Sequence, residues 1–175
     1  MADPEATLDS VDLIEAQWRR ERPDVDVWPM AVIGRISRLE RAFKPLLERV
    51  FARHGLEAWE FDVLASLRRA GEPYQLTPGQ LLDTMMVASA TMTHRLDRLE
   101  GRGLVVRAKS VDDGRRVIVA LTADGLATID GALDDHVANE AALLGALDDE
   151  QRDALVDLLR ILHRSLVDDE PPPAP

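Results

Sequence analysis

Apolar residues recur every three or four positions along most of the chain, and this spacing predicts a mainly helical fold. Val11, Ile14 and Trp18 mark a short amphipathic helix that ends before Pro23. A longer apolar stripe runs over residues 29 to 55 and predicts a second helix, and WEFDVLASLRRA predicts a third. The first third of the chain is therefore expected to be entirely helical.

The spacing changes in the middle of the chain. In LTPGQLLDTMMV, Thr77 and Gln80 have the positions of a capping box, which predicts a short helix. A second short helix, ATMTHRLDRLEGRG, can be capped by Ser89 and closed by Gly103. Two valine-rich runs then flank DDGRR, as expected of a β-hairpin. Two short helices followed by a hairpin predict a helix-turn-helix with a β wing.

Two more leucine-rich stripes follow the hairpin. Thr122 is placed to cap a long helix, and Asp148 or Asp149 to open a final one. The last residues, DDEPPPAP, carry too little apolar surface to pack against a core. The predicted fold class is therefore mainly α with a small β-hairpin wing.

Composition and charge narrow the classes of function. The formal net charge is −11, but the segment 77–121 carries seven basic and five acidic residues, so its own charge is positive. The chain has no cysteine, which excludes disulfides and thiol nucleophiles. No histidine pair has metal-ligand spacing, and no nucleotide-binding or nucleophile motif occurs. The sequence thus predicts neither an enzyme, nor a metal site, nor a cofactor.

The N-terminus lacks the order of a signal peptide, and no apolar run reaches the roughly 20 residues that span a membrane. We therefore expect a soluble cytoplasmic protein without a membrane partner.

The second short helix and the hairpin carry the candidate chemistry. Thr91, Arg95, Arg98 and Arg102 are spaced 4, 3 and 4 on one helical stripe, where hydroxyls and guanidinium groups suit bases and phosphates. An arginine at a wing tip can enter the minor groove. A solvated charged face and a pure dimerisation scaffold are the alternatives. The candidate DNA-binding residues are Ser89, Thr91, Thr93, His94, Arg95, Arg98, Arg102, Arg115 and Arg116.

Between residues 33 and 166 the chain resembles the MarR family of winged-helix transcriptional regulators. The resemblance rests on the capping-box helix, on SATMTHRLDRLEGRGLVVR and on DDGRRVIVALTADG, with a D-x-R wing motif at Asp113 and Arg115. It implies an obligate homodimer that places two recognition helices on a pseudopalindromic double-stranded operator. The implied organisation is an added helix and a dimerisation helix (1–54), a DNA-binding lobe (55–122), C-terminal dimerisation helices (123–167) and a disordered tail (168–175).

QWRRERPD and AWEFDVL further resemble the urate-responsive, PecS-like subgroup. The resemblance implies a ligand pocket at Trp18, Asp62, Arg95 and Arg107. An indole can stack on a flat ring and arginines can neutralise an anion, while Trp28 and Trp59 are secondary candidates for the aromatic wall. The expected function is a repressor released by a small anionic ligand such as urate. A different small anion, a phenolic compound or no ligand at all are the alternatives.

Overall fold

The computed structural model describes residues 8–85, 92–109 and 117–167. Seven helices and three short strands occur in these ranges, and the predicted fold class, mainly α with a small β wing, is confirmed. Across the same ranges, no helix combines the length and the apolar character needed to cross a bilayer. The elements are α1 (Ser10–Glu21), α2 (Trp28–Arg53), α3 (Ala58–Arg69), β1 (Gln75–Leu76), α4 (Pro78–Thr84), α5 (Met92–Gly101), β2 (Val105–Lys109), β3 (Val117–Leu121), α6 (Ala123–Leu143) and α7 (Asp149–Val167).

Local side-chain chemistry sets several helix starts, as the sequence predicts. The Thr77 N–H donates to Gln80 Oε1 at 2.9 Å, and the Gln80 N–H donates to Thr77 Oγ1 at 3.2 Å, so the predicted capping box is confirmed. Thr122 Oγ1 accepts from the Gly125 N–H at 2.9 Å and begins α6. Asp148 accepts from the Gln151 N–H at 2.9 Å, which makes Asp148 the cap of α7.

The turn from α5 into the wing depends on Gly103. Its φ of 71° lies in the left-handed region that favours glycine. The Leu104 N–H then donates back to the Leu99 carbonyl at 3.0 Å, which ends the helix. The predicted stop at Gly103 is therefore confirmed, and it fixes the start of β2 against the end of α5.

The strands form one antiparallel sheet in the order β1, β3, β2. In the wing, Val105 pairs with Leu121 and Lys109 with Val117. The sequence did not predict β1, which pairs Gln75 with Ala120. This two-residue strand connects the α3–α4 segment to the wing.

One apolar core holds these elements together. Leu64, Leu67 and Val63 of α3 are fully buried at its centre. Phe51 of α2 and Ile129 of α6 belong to the same cluster. Helices α2 and α6 therefore contribute to the same core as α3 and the wing.

Two other apolar stripes face solvent in the single chain. On α7, Leu158, Ile161 and Leu166 are each at least 66% exposed. On the first half of α2, Trp28 and Ile33 are 61% and 58% exposed. Apolar surface of this extent is typical of a protein–protein contact.

Candidate nucleic-acid interface and ligand site

Helix α5 has one buried face and one outward face. Met92, Leu96 and Leu99 are buried in the core. Thr93 and His94, two of the predicted DNA-binding residues, are exposed on the outward face. This helix presents short polar side chains to solvent on a rigid support, as a recognition helix requires.

Arg98 of α5 and Arg102, which directly follows α5, face the start of α3, and the sequence did not predict this. Arg102 Nη1 donates to Glu60 Oε2 at 2.6 Å, and Arg102 Nη2 donates to the Gly55 carbonyl at 2.9 Å. Glu60 is completely buried. Arg98 pairs with Glu57, and its Nε lies 3.6 Å from Glu60 Oε1. Because a buried carboxylate needs a charged partner, Arg102 holds α5 against α3.

The ring of Trp59 packs against two arginines of α5. The guanidinium carbons of Arg95 and Arg98 lie 5.1 and 5.3 Å from the centre of its ring, within cation–π distance. Trp59 Nε1 donates to Glu57 Oε2 at 2.7 Å. The hydrogen bonds from Trp59 and from Arg98 hold the pKa of Glu57 below its usual value.

A second ion-pair cluster joins α5 to the wing. The Arg107 N–H donates to Glu100 Oε1 at 3.0 Å, and its Nε donates to Glu100 Oε2 at 2.9 Å. Arg107 also pairs with Asp97. The hydrogen bonds from Arg107 lower the pKa of Glu100. Helix α5 is thus braced by charge on both sides, by α3 and by β2, which limits its freedom to rotate.

Arg95 belongs to a group of polar side chains around Asp62. Asp62 of α3 is half-buried, and this burial raises its pKa, while positive charge on Arg69, Arg95 and His136 opposes the rise. Arg95 Nη1 and His136 Nδ1 are buried and have no hydrogen-bond partner within the described part of the chain. The His136 ring packs 4.9 Å from the ring of Phe61. His136 Nε2 lies 3.2 Å from Glu140 Oε1, so Arg95 Nη1 is the certain donor of the two. A buried donor without an acceptor is rare in proteins and needs an explanation.

The structure brings together only part of the predicted ligand set. Asp62 and Arg95 are neighbours, but the recorded hydrogen bonds of Arg107 go to Glu100 and Asp97. Trp18 is 45% exposed on α1. Within the described ranges α1 packs mainly on α2, away from Asp62, Arg95 and Arg107. Among the aromatic candidates, Trp59 is the one in contact with Arg95.

Sequence reasoning missed His136, because it lies on a different helix, about 40 positions after Arg95, and no local motif marks it. Four predicted DNA-binding residues, Ser89, Thr91, Arg115 and Arg116, lie outside the described residues. The described ranges contain no group of three or more His, Asp or Glu side chains arranged to hold a metal ion.

A braced helix with an outward polar face, preceded by a short capped helix and followed by a β wing, defines a winged-helix DNA-binding protein. Comparison with known proteins supports the same class. The family model described as "MarR family" matches residues 54–116. The regulator PecS of Dickeya dadantii is 41% identical over 160 residues, which cover 91% of this chain and 96% of PecS.

Two solved structures are similar in sequence and in fold. A MarR variant from E. coli in complex with operator DNA is 27% identical with a TM-score of 0.65, over 79% of this chain and 99% of that one. Bordetella bronchiseptica BpsR, whose DNA binding is regulated by 6-hydroxynicotinic acid, is 27% identical with a TM-score of 0.60, over 75% of this chain and 92% of that one. The chain belongs to the MarR family. It is a PecS-like, DNA-binding transcriptional regulator and not an enzyme.

Proposed function

We propose that the protein is a homodimeric repressor that leaves a pseudopalindromic operator when a small anionic ligand, such as urate, binds behind the recognition helix. One observation carries this proposal. Arg95 belongs to α5, yet it extends inward beside the half-buried Asp62 and has a buried Nη1 without an acceptor. A residue of the recognition helix therefore interacts with a half-buried acid of α3 and carries a buried donor that a ligand would satisfy.

The chemistry of this pocket suits an anion. A buried donor left without an acceptor costs about 1–3 kcal/mol, and an anionic acceptor at Arg95 Nη1 would remove that cost. Trp59, already stacked on Arg95, offers an indole face to a planar ring. The Asp62 carboxylate would be repelled by the same anion, and this repulsion would act on α3.

The position of Arg95 couples the pocket to DNA. Arg95 and Arg98 share the ring of Trp59, so a ligand that draws Arg95 inward changes the support of Arg98 as well. A ligand shifts the protein away from its DNA-binding conformation only if it binds the other conformation more tightly. Contacts to Arg95 that require α5 to move provide such a difference in affinity.

The two remaining members of the predicted set have distinct roles in this proposal. Arg107 reaches the ligand by exchanging Glu100 for the anion, and this exchange loosens the wing-side brace of α5. Trp18 keeps its predicted role as a stacking residue, while the contact with Arg95 favours Trp59 for the same role. The effect of substituting each tryptophan on ligand affinity shows which of the two stacks on the ligand.

Dimerisation would cover the exposed apolar stripes of α2 and α7. In this proposal residues 1–54 and 123–167 supply the dimer contacts, and residues 55–122 form the DNA-reading lobe. Two recognition helices would then enter major grooves about 34 Å apart. Thr93 and His94 reach the DNA from the exposed face of α5, together with Ser89, Thr91, Arg115 and Arg116 as the sequence predicts.

A different aromatic anion is the second candidate ligand. BpsR responds to 6-hydroxynicotinic acid, which is a planar carboxylate with a ring hydroxyl. The same cationic and aromatic groups would bind either compound, so both are tested side by side.

Isothermal titration calorimetry of urate and of 6-hydroxynicotinate tests the ligand site. For the compound that binds, Arg95→Gln should weaken affinity about tenfold or more, since a hydrogen bond to a charged group is worth about 1.5–3 kcal/mol. Trp18→Leu, Trp28→Leu and Trp59→Leu test the three candidates for the aromatic wall, and the substitution that weakens binding most identifies the stacking residue. Unchanged affinity in both Trp18→Leu and Arg107→Gln removes those residues from the pocket. No heat with either compound favours a repressor without such a ligand.

A further inference from the structure

The ion pair between Arg98 and Glu57 differs from its neighbour. The side chains of Arg98 and Glu57 are 46% and 53% exposed, whereas those of Arg102 and Glu60 are 34% and 0% exposed. Exposed ion pairs contribute little net free energy and are easily exchanged, but a buried pair is costly to break. Arg98 Nε also lies 3.6 Å from the buried Glu60, but Arg102 donates to Glu60 at 2.6 Å. Arg98 can therefore leave Glu57 while Glu60 keeps its main partner.

The surroundings of Arg98 favour the exchange of one anion for another. Trp59 Nε1 holds the Glu57 carboxylate at 2.7 Å, and the Trp59 ring supports the Arg98 guanidinium. A backbone phosphate group carries the same single negative charge as this carboxylate, and its oxygens accept hydrogen bonds from arginine in the same way. The stacked guanidinium can thus turn from Glu57 to a phosphate while its aromatic support stays in place.

We propose that Glu57 is an intramolecular competitor of DNA phosphate: its carboxylate holds Arg98 in the DNA-free protein, and docking exchanges that carboxylate for a backbone phosphate. This goes beyond the ligand response, because it concerns how tightly the protein binds any DNA. Glu57 sets the affinity in two ways. It occupies Arg98, and it places a negative charge where the phosphate must come.

The consequence is a weaker hold on non-specific DNA. Non-specific binding depends almost entirely on phosphate contacts, so a contact that must first displace Glu57 contributes little to it. On a specific site, base contacts add to the total and the exchange is completed. Glu57 is thus a residue that determines specificity although it touches no base.

The test is Glu57→Gln in the full-length protein, with Arg98→Gln and the double variant. The probes are a fluorescein-labelled duplex enriched by the protein from random DNA and an unrelated duplex of equal length, both titrated by anisotropy. Glu57→Gln should tighten binding about threefold to tenfold, with the larger gain on the unrelated duplex. On the unrelated duplex it should also steepen the dependence on salt by about 0.9 per subunit, for the added phosphate contact. In the Arg98→Gln background the same change should have less than about a twofold effect.

Asp83→Asn is the matched control, since Asp83 is an exposed acid of α4 with no recorded arginine partner among the described residues. Trp59→Phe keeps an aromatic ring but removes the N–H that donates to Glu57. It should therefore also tighten DNA binding, but by less than Glu57→Gln does. Circular dichroism confirms that each variant is folded. Equal tightening by Glu57→Gln with and without Arg98, or tightening no greater than that of Asp83→Asn, overturns the competition.

Discussion

Replacing Gly125 with alanine should strain the joint between the wing and α6. Gly125 is buried one turn into α6, directly beneath the start of β2. An added Cβ would lie 1.9 Å from the Leu104 carbonyl oxygen and 2.9 Å from its carbon. The Leu104 carbonyl also accepts from the Thr122 N–H and hydroxyl, both at 3.2 Å, so it is held in place. The obstacle is backbone, which cannot rotate away as a flexible side chain would.

The size of the effect follows from two opposing contributions. Overpacking a well-packed site costs about 1–3 kcal/mol, and a clash with fixed backbone belongs at the upper end. Alanine in place of glycine inside a helix returns about 1 kcal/mol. The net loss should be about 2 kcal/mol, which corresponds to a fall of about 4–8 °C in the unfolding midpoint for a chain of this length.

Gly131→Ala is the matched control on the same helix. Its Cβ would meet only the His54 ring, at 3.6 Å, which is an ordinary van der Waals distance. This variant should be neutral or more stable, by up to about 1 kcal/mol. Urea and thermal denaturation at one fixed protein concentration measure both variants. Equal stability of the two variants would refute the close approach of Gly125 to Leu104.

Three further predictions concern single side chains. Arg102→Met should lower the free energy of unfolding by about 3 kcal/mol, because it leaves the buried Glu60 without its main partner; a loss below about 1 kcal/mol in urea denaturation would contradict that pairing. Thr77→Ala should cost about 1 kcal/mol by removing the cap of α4, and an unchanged thermal midpoint would show that the cap is dispensable. Burial raises the pKa of Asp62, so the folded chain holds this proton more tightly than the unfolded chain, and stability falls as the pH rises through the folded pKa. Asp62→Asn should therefore be more stable than the parent at neutral pH and equal to it below the ordinary carboxyl value of 3.8; a parent at least as stable at neutral pH would be the opposite result.

Periodicity and capping residues predicted most of the fold. Thr77, Thr122 and Gly103 act within three or four positions of their own place in the chain, and the structure confirms all three. The strand β1 could not be predicted, because two residues are too few to show an alternating pattern. Its existence depends on β3, more than 40 residues away.

The partners of the α5 arginines were not predictable in the same way. The spacings of 3 and 4 between Arg95, Arg98 and Arg102 place these arginines on one stripe, but the stripe fits DNA and carboxylates equally well. The deciding acids, Glu57 and Glu60, are 41 and 42 residues from their partners Arg98 and Arg102. A family resemblance identified Asp62 and Arg95 as neighbours, while His136 and the contact with Trp59 depend on tertiary packing that no local pattern encodes.

Fluorescence anisotropy on DNA from directly upstream of the protein's own gene, titrated with urate at fixed salt, tests the central claim most directly. We expect the parent protein to bind this DNA tightly and urate to reverse the binding. Arg95→Lys should lose the response to urate, because lysine keeps the charge but not the planar guanidinium. Tight binding that neither urate nor 6-hydroxynicotinate reverses would contradict the proposed ligand switch.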